Sequence, residues 1–343
     1  MRASYALIVT QRASVVAMAL LGASCGIDQG GYHPPDVISS QSAQTMLVSG
    51  PIDAFGSVHV NGLVLDTSRA QVRIDGRAAS EADLRLGQMV RAVARVDGTA
   101  AAALSIDYEE NVVGPVAGVD AAAGEFTVLG QRVRATDATR FDGGRLNRIG
   151  DLRVGDRVAV SGLALPGSTV LATYVGRAAA TEPFEVTAVV TAVGPAATTF
   201  ALGTLTIDYS RAAVLELPGG QPAAGTIVEV TGSVLDNGVL VAEHVRALHL
   251  LPGTFTAAAT ALTTDELPPA ALASASSAVA GRFVGVITGS NADVLVFGDL
   301  EATLTTATVV IGDRASLVAG ARVMVAGRIS APGRIDATRI EVQ

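Results

Sequence analysis

Apolar and polar residues alternate with a period close to two along most of the chain beyond residue 48. In 156–160, Val158 and Val160 share one face while Arg157 and Ala159 share the other. In 227–231, Val228 and Val230 oppose Glu229 and Thr231. Such alternation predicts strands with one buried face. Turn residues punctuate the runs. Asp236-Asn237-Gly238 lies between Val234 and Val239, and Asn-Gly suits a type I′ hairpin because both residues tolerate positive φ. Ala123-Gly124, Gly143-Gly144 and Pro332-Gly333 read as further turns, and 142–151 has room for a short helical turn.

The strands recur in blocks. One phrase, a hydrophobic residue and Gly followed by alternating Val, appears around Gly87, Gly155, Gly225 and Gly320. A second lies upstream each time, at Gly62, Gly130, Gly203 and Gly298. The two anchors are 25 residues apart in the first two blocks and 22 in the last two. Each block closes on another alternating run, at 103–108, 170–175, 240–245 and 335–342. Regular self-similarity of this kind marks a repeat architecture. About five short strands fall in each block of roughly 65 residues, and closing so small a sheet removes its edges. The expected fold is all-β: a tandem array of about four small, separable, five-stranded OB-like barrels, at 49–110, 111–180, 181–250 and 280–343. Gly87, Gly155, Gly225 and Gly320 are expected to be structural turn glycines at positive φ, each just before a core strand.

The pattern of G-x-V near the start of a block, an alternating run ending in Gly, then l-x-x-G-d-x-V-x-V-x-G, resembles the bacterial domain-of-unknown-function family 5666. The best matches are 114–175, with Leu152-Arg153-Val154-Gly155-Asp156-Arg157-Val158, and 283–342. The Gly-Asp pair becomes Gly87-Gln88, Gly225-Thr226 and Gly320-Ala321 in the other blocks. The resemblance covers 50–250 and 280–343. It implies a fold and an envelope location, and carries no functional residue.

The first 48 residues read as an address. Arg2 and Arg12 flank a short apolar stretch, 13–21 is apolar again, and Gly22-Ala23-Ser24-Cys25 follows. A basic start, a short apolar region and small residues describe a secretory signal over 1–24, too short to span a bilayer. L-L-G-A-S-C resembles a bacterial lipobox, with Gly22 where Leu is usual. The resemblance implies lipidation of Cys25, the only cysteine in the chain, and Gly26 after it implies sorting to the outer membrane, periplasmic or surface facing. Residues 25–48 are Gly-, Pro-, Ser- and Gln-rich and read as a flexible tether. Residues 251–279, rich in Ala, Thr and Pro, read as a linker.

Composition narrows the function more than it names one. Hydrophobic residues make up 49% of the chain and aromatics 4%, so the core is built from aliphatic side chains. Net charge is −8, every basic residue besides His is Arg, and these are dispersed, which gives no electrostatic footprint for nucleic acid. The G-A-S-C-G at 22–26 lacks the strand and helix of a nucleophile elbow. His244 and His249 would face opposite sides of a strand, so no metal site is expected. Glu109-Glu110 and Asp265-Glu266 read as solvated boundary acids, and Phe126 and Phe200 as core. No cofactor is expected. The function these readings favour is a non-enzymatic envelope lipoprotein, membrane-held through its anchor, with a binding or spacer role toward an envelope protein or glycan. The alternatives are an envelope enzyme with a cryptic site between units, and single-stranded nucleic-acid binding by OB-like units.

Overall fold

The structure, a computed structural model, describes residues 44–97, 100–165, 167–195, 198–248, 279–291, 293–297, 300–331 and 333–343. The signal region, Cys25, residues 26–43 of the tether and nearly all of the 251–279 linker lie outside them. Among the described residues the regular elements are strands and four single 3₁₀ turns.

The first segment contains β1 (Gln44–Ala54), β2 (Val58–Val60), β3 (Leu63–Asp66), β4 (Gln71–Ile74), β5 (Arg77–Ala79), β6 (Met89–Asp97) and β7 (Ala100–Tyr108). Hydrogen-bonded pairing runs β1-β2-β3-β7-β6 and back to β1. The circuit is closed, so these five strands leave no edge. The hairpin β4–β5 hangs on β7.

The second segment repeats the path with β8 (Val112–Asp120), β9 (Glu125–Val128), β10 (Gln131–Arg134), β11 (Arg140–Phe141), β12 (Arg157–Leu165) and β13 (Thr169–Arg177). Pairing runs β8-β9-β10-β13-β12-β8, with β11 also on β13.

In the third segment the strands are shorter: β14 (Phe184–Val189), β15 (Ala192–Val193), β16 (Thr199–Leu202), β17 (Leu205–Asp208), β18 (Ala213–Leu215), β19 (Ile227–Gly232), β20 (Val234–Asp236), β21 (Val239–Val241) and β22 (His244–Ala247). The expected run at 240–245 is interrupted at Ala242-Glu243. There the Ala242 amide bonds to Asp208 O and the Glu243 amide to Thr231 O, in two different sheets.

The fourth segment holds β23 (Ala280–Val286), β24 (Gly289–Asn291), β25 (Val294–Phe297), β26 (Leu300–Thr303), β27 (Val309–Ile311), β28 (Arg322–Ala331) and β29 (Arg334–Val342). Pairing again runs β24-β25-β26-β29-β28-β23.

Alternation along the strands points the aliphatic residues inward. Val48, Val58, Val60, Leu65, Val90 and Ile106 fill the first segment, and Phe283, Leu295, Val323, Val325, Ile335 and Ile340 the fourth. Phe126 and Phe200 belong to one cluster that runs through the second and third. Both rings are 2% exposed, so they pack the interior.

The turn glycines share one geometry. Gly87, Gly155, Gly225 and Gly320 have φ of 86°, 90°, 88° and 91°. Each occupies the third position of a turn closed by the next residue's amide: Gln88 to Arg85 O, Asp156 to Arg153 O, Thr226 to Ala223 O and Ala321 to Val318 O. A type II turn requires positive φ at that position, which glycine accepts without a Cβ clash. Each glycine amide also bonds the segment's first strand or the residue after it, at Ile52 O, Val116 O, Val190 O and Ile287 O. The glycine therefore fixes where the fourth long strand meets the first.

Two expectations are corrected. β1 starts at Gln44, inside the 25–48 tether, because Leu47 and Val48, 2% and 0% exposed, are buried between β6 and β23. The segments, expected as separate units, also pair strand to strand. β1 lies parallel to β23, with Met46 opposite Ala280 and Ser49 opposite Phe283. β8 lies antiparallel to β14, with Val112 opposite Val186. Leu163, Val284, Val286 and Met324 form a further apolar cluster between the second and fourth segments. The described residues fall in one compact unit.

Candidate functional site at the seams between segments

The polar groups that converge do so where segments meet. Asp75 occupies the two-residue turn between β4 and β5, and its amide donates to Tyr108 O at 3.0 Å. Glu110 follows β7 in the short link to β8. Glu185 stands on β14 opposite Val113 and is 7% exposed. One carboxylate oxygen from each of the three lies within 4.8 Å of the others. Burial is the largest effect on Glu110. Together with the hydrogen bond to Asp75 and the charges of Asp75 and Glu185, it pushes the Glu110 carboxyl up to about 10. Burial, then the charges of Glu229 and Asp75, also pushes Glu185 well above the ordinary range. Three carboxylates so placed can share a proton or hold a cation jointly. Proton sharing is the chemistry that the raised Glu110 and Glu185 carboxyls support.

Beside this acid knot runs an ion-pair chain. Arg91 on β6 pairs with Glu109, Glu109 with Arg246 at 3.1 Å, and Arg246 with Glu229 at 2.6 Å. Glu229 and Arg246 are directly opposite across β19 and β22. Burial works to lower Arg246, but its pairs with Glu229 and Glu109 outweigh that and hold it above the usual arginine value. Asn111 completes the stitch: its Oδ1 accepts from the Gly162 amide at 2.6 Å and its carbonyl from the Thr187 amide at 2.7 Å. The link 109–111 thus ties the first three segments together.

The reading of Glu109-Glu110 as solvated boundary acids is therefore wrong. The residues do stand at a segment boundary, but two neighbouring segments cover that boundary. Asp75 and Glu185, 35 and 75 residues from Glu110 in sequence, gave no local signal of a shared site. Asp265-Glu266, His33 and His249 lie outside the described residues. His244 is exposed and faces the Thr231 hydroxyl, 3.4 Å away. Gly87 borders a seam cavity of about 170 Å³ that Arg140 and Thr173 of the second segment also line. Gly155, Gly225 and Gly320 have open space where a Cβ would stand.

A larger cavity, of about 320 Å³, lies between the first and fourth segments. Its walls are Pro51, Asp53 and the Asn61-Gly62 turn on one side, and Arg282, Arg322, Arg339 and Glu341 on the other. Asp75, Glu110 and Glu185 line neither cavity. No helix among the described residues is long and apolar enough to cross a membrane.

No curated protein matches the chain. The family described as Domain of unknown function (DUF5666) matches it three times, at 113–176, 187–246 and 284–341. These stretches coincide with the second, third and fourth segments. The first, whose closed circuit has the strand order of the second, precedes them. Since the matches together cover more than half of the sequence and repeat with the folded segments, the chain belongs to the DUF5666 family.

Proposed function

We propose that this protein is an exported, lipid-anchored, non-enzymatic binding protein of the cell envelope, whose four segments are OB-like barrels packed into one body. The observation that carries the reading is the lone Cys25 directly after a short apolar run and small residues, upstream of the first described strand at Gln44. Acylation there would hold the body to a membrane while 26–43 spaces it from the surface. The strand order shared by the first, second and fourth segments supports the barrel reading. A binding role is supported by the seam cavity between the first and fourth segments, since concave sites where units meet are where small ligands are held.

The test is fractionation with metabolic labelling by a radioactive fatty acid. The native chain is expected in the membrane fraction and labelled, and Cys25→Ser soluble and unlabelled. A Cys25→Ser chain that stays in the membrane with the same mature N-terminus refutes the anchor. The enzyme alternative has one observation in its favour, the raised Glu110 carboxyl, because a carboxyl held protonated at neutral pH can act as a general acid. Neither cavity reaches it, so the binding reading is preferred.

A further inference from the structure

The wall of the larger cavity follows from strand register. Across β23 and β28, Arg282 is opposite Ala326, Val284 opposite Met324 and Val286 opposite Arg322. Across β28 and β29, Met324 is opposite Glu341 and Ala326 opposite Arg339. Opposed residues of an antiparallel pair share a face, and neighbours along a strand alternate. Phe283, Val323, Val325 and Ile340 therefore fill the core of the fourth segment. Arg282, Arg322, Arg339 and Glu341 stand together on its outer face. The first segment then closes over them. β1 lies beside β23 with Val48 opposite Arg282, and Asn61 Nδ2 donates to Ser49 O at 2.8 Å and to Arg282 O at 3.4 Å.

The charges in this cavity do not balance. Arg339 pairs with Glu341 at 3.3 Å. Arg282 and Arg322 are half-buried and have no ion-pair partner or side-chain hydrogen bond among the described residues. The Nε atom of each is buried without an acceptor. Burial, then the charge of Arg339, works against the Arg282 cation, opposed by the charge of Glu341; burial works against Arg322, opposed by the charge of Asp53. A guanidinium held out of water without a counter-charge is costly, and arginine is suited to bidentate contact with phosphate and carboxylate. Elsewhere in this acidic chain, half-buried Arg91 and Arg246 sit against carboxylates.

We propose that the cavity between the first and fourth segments binds a small phosphate monoester, held by Arg282 and Arg322 with Arg339 at its rim. The choice of phosphate follows from geometry. Arg282, Arg322 and Arg339 outnumber Asp53 and Glu341 in the lining. Two forked guanidinium groups without an ion-pair partner suit the several oxygens of a phosphate monoester, which carries about −1.5 to −2 near pH 7, better than the two of a carboxylate. The volume of about 320 Å³ lies at the small end of ligand pockets, so the ligand is a small molecule or a single headgroup. Asp53, the other carboxylate facing the cavity, opposes binding. Because the ligand bridges β1 and the fourth segment, it also fastens that seam. The proposal does not depend on whether Cys25 is acylated.

The test is titration calorimetry on the full chain at fixed ionic strength, with inorganic phosphate, glycerol 3-phosphate and a water-soluble short-chain phosphatidic acid as probes. One probe or more is expected to bind with one-to-one stoichiometry. Arg282→Gln and Arg322→Gln should each weaken it at least tenfold, Asp53→Asn should strengthen it several-fold, and Arg148→Gln, at an exposed arginine far from the cavity in sequence, should leave it unchanged. Binding of glycerol 3-phosphate identifies a soluble ester as the source, and binding of phosphatidic acid alone identifies a lipid headgroup. Circular dichroism of each variant checks the fold. If Arg282→Gln does not fold, Arg322→Gln and Asp53→Asn still decide, because they move affinity in opposite directions. Absence of binding by all three probes, or binding indifferent to these arginines, overturns the proposal.

Discussion

Alanine at Gly155 and at Gly87 separates the intrinsic cost of a turn from the cost of a contact between segments. Both glycines hold φ near +90° in the same type II turn. At Gly155 an added Cβ meets nothing within 4 Å. Its cost is then backbone strain alone, on the order of 1–2 kcal/mol. At Gly87 the same strain applies, and the Cβ also falls 2.4 Å from the carbonyl oxygen of Thr173 in the second segment. A backbone atom cannot move aside as a side-chain tip can, so overpacking adds about 1–3 kcal/mol. Gly87→Ala is therefore expected to destabilise by roughly 2–5 kcal/mol against roughly 1–2 for Gly155→Ala. Gly225→Ala and Gly320→Ala also meet open space and should match Gly155→Ala. Urea unfolding of the full chain, followed by far-ultraviolet circular dichroism, measures the difference. Equal midpoints for the Gly87 and Gly155 variants would mean that the first and second segments do not touch as described. A Gly155 variant with no loss would mean that the turn does not need its left-handed residue.

Two further outcomes follow from the seams. Glu110 binds a proton in the folded protein up to about pH 10, and its ordinary value is 4.5. The stability it contributes is thus fully present below about pH 4.5 and is lost as pH rises toward 10. In chelator-containing buffer, the urea midpoint of the native chain should fall between pH 5 and pH 9, and Glu110→Gln should flatten that fall; an unchanged slope refutes the buried-proton reading. Arg246→Met removes the cation shared by Glu109 and Glu229 and leaves Glu229 half-buried without a partner. With Arg246 about one-third exposed, a loss of roughly 1–3 kcal/mol is expected. The companion Glu229→Gln, Arg246→Met pair should recover part of it in a double-mutant cycle, and strict additivity would show that the pair is not coupled.

What the sequence determined by itself was local. Period-two alternation located the strands because a pleated backbone must send Val158 and Val160 to the same side. Asn237-Gly238 and the four turn glycines were legible because tolerance of positive φ belongs to glycine and asparagine themselves, whereas Leu129 and Glu216, also at positive φ, gave no such signal. The short helical turn expected in 142–151 stands at Ile149–Asp151, where the Asp151 carboxylate accepts from the Asn147 and Arg148 amides. The glycines closing the recurring phrase, Gly162, Gly232 and Gly327, were visible as a pattern without a reason. Their role needs the partner strand, whose carbonyl oxygens would lie 2.2, 2.2 and 2.1 Å from a Cβ.

Only the tertiary structure decided which strands of different segments meet and what their meeting buries. β1 and β23 are separated by more than 200 residues, and nothing in either strand alone names its partner. The acid knot draws on residues 75, 110 and 185, and the arginine cavity sets residue 53 against 282, 322 and 339. A charged residue in a boundary link looks the same in sequence whether the next segment covers it or leaves it in water. Yet that burial fixes its protonation and its partners, so the chemistry of this protein lies at seams that only packing creates.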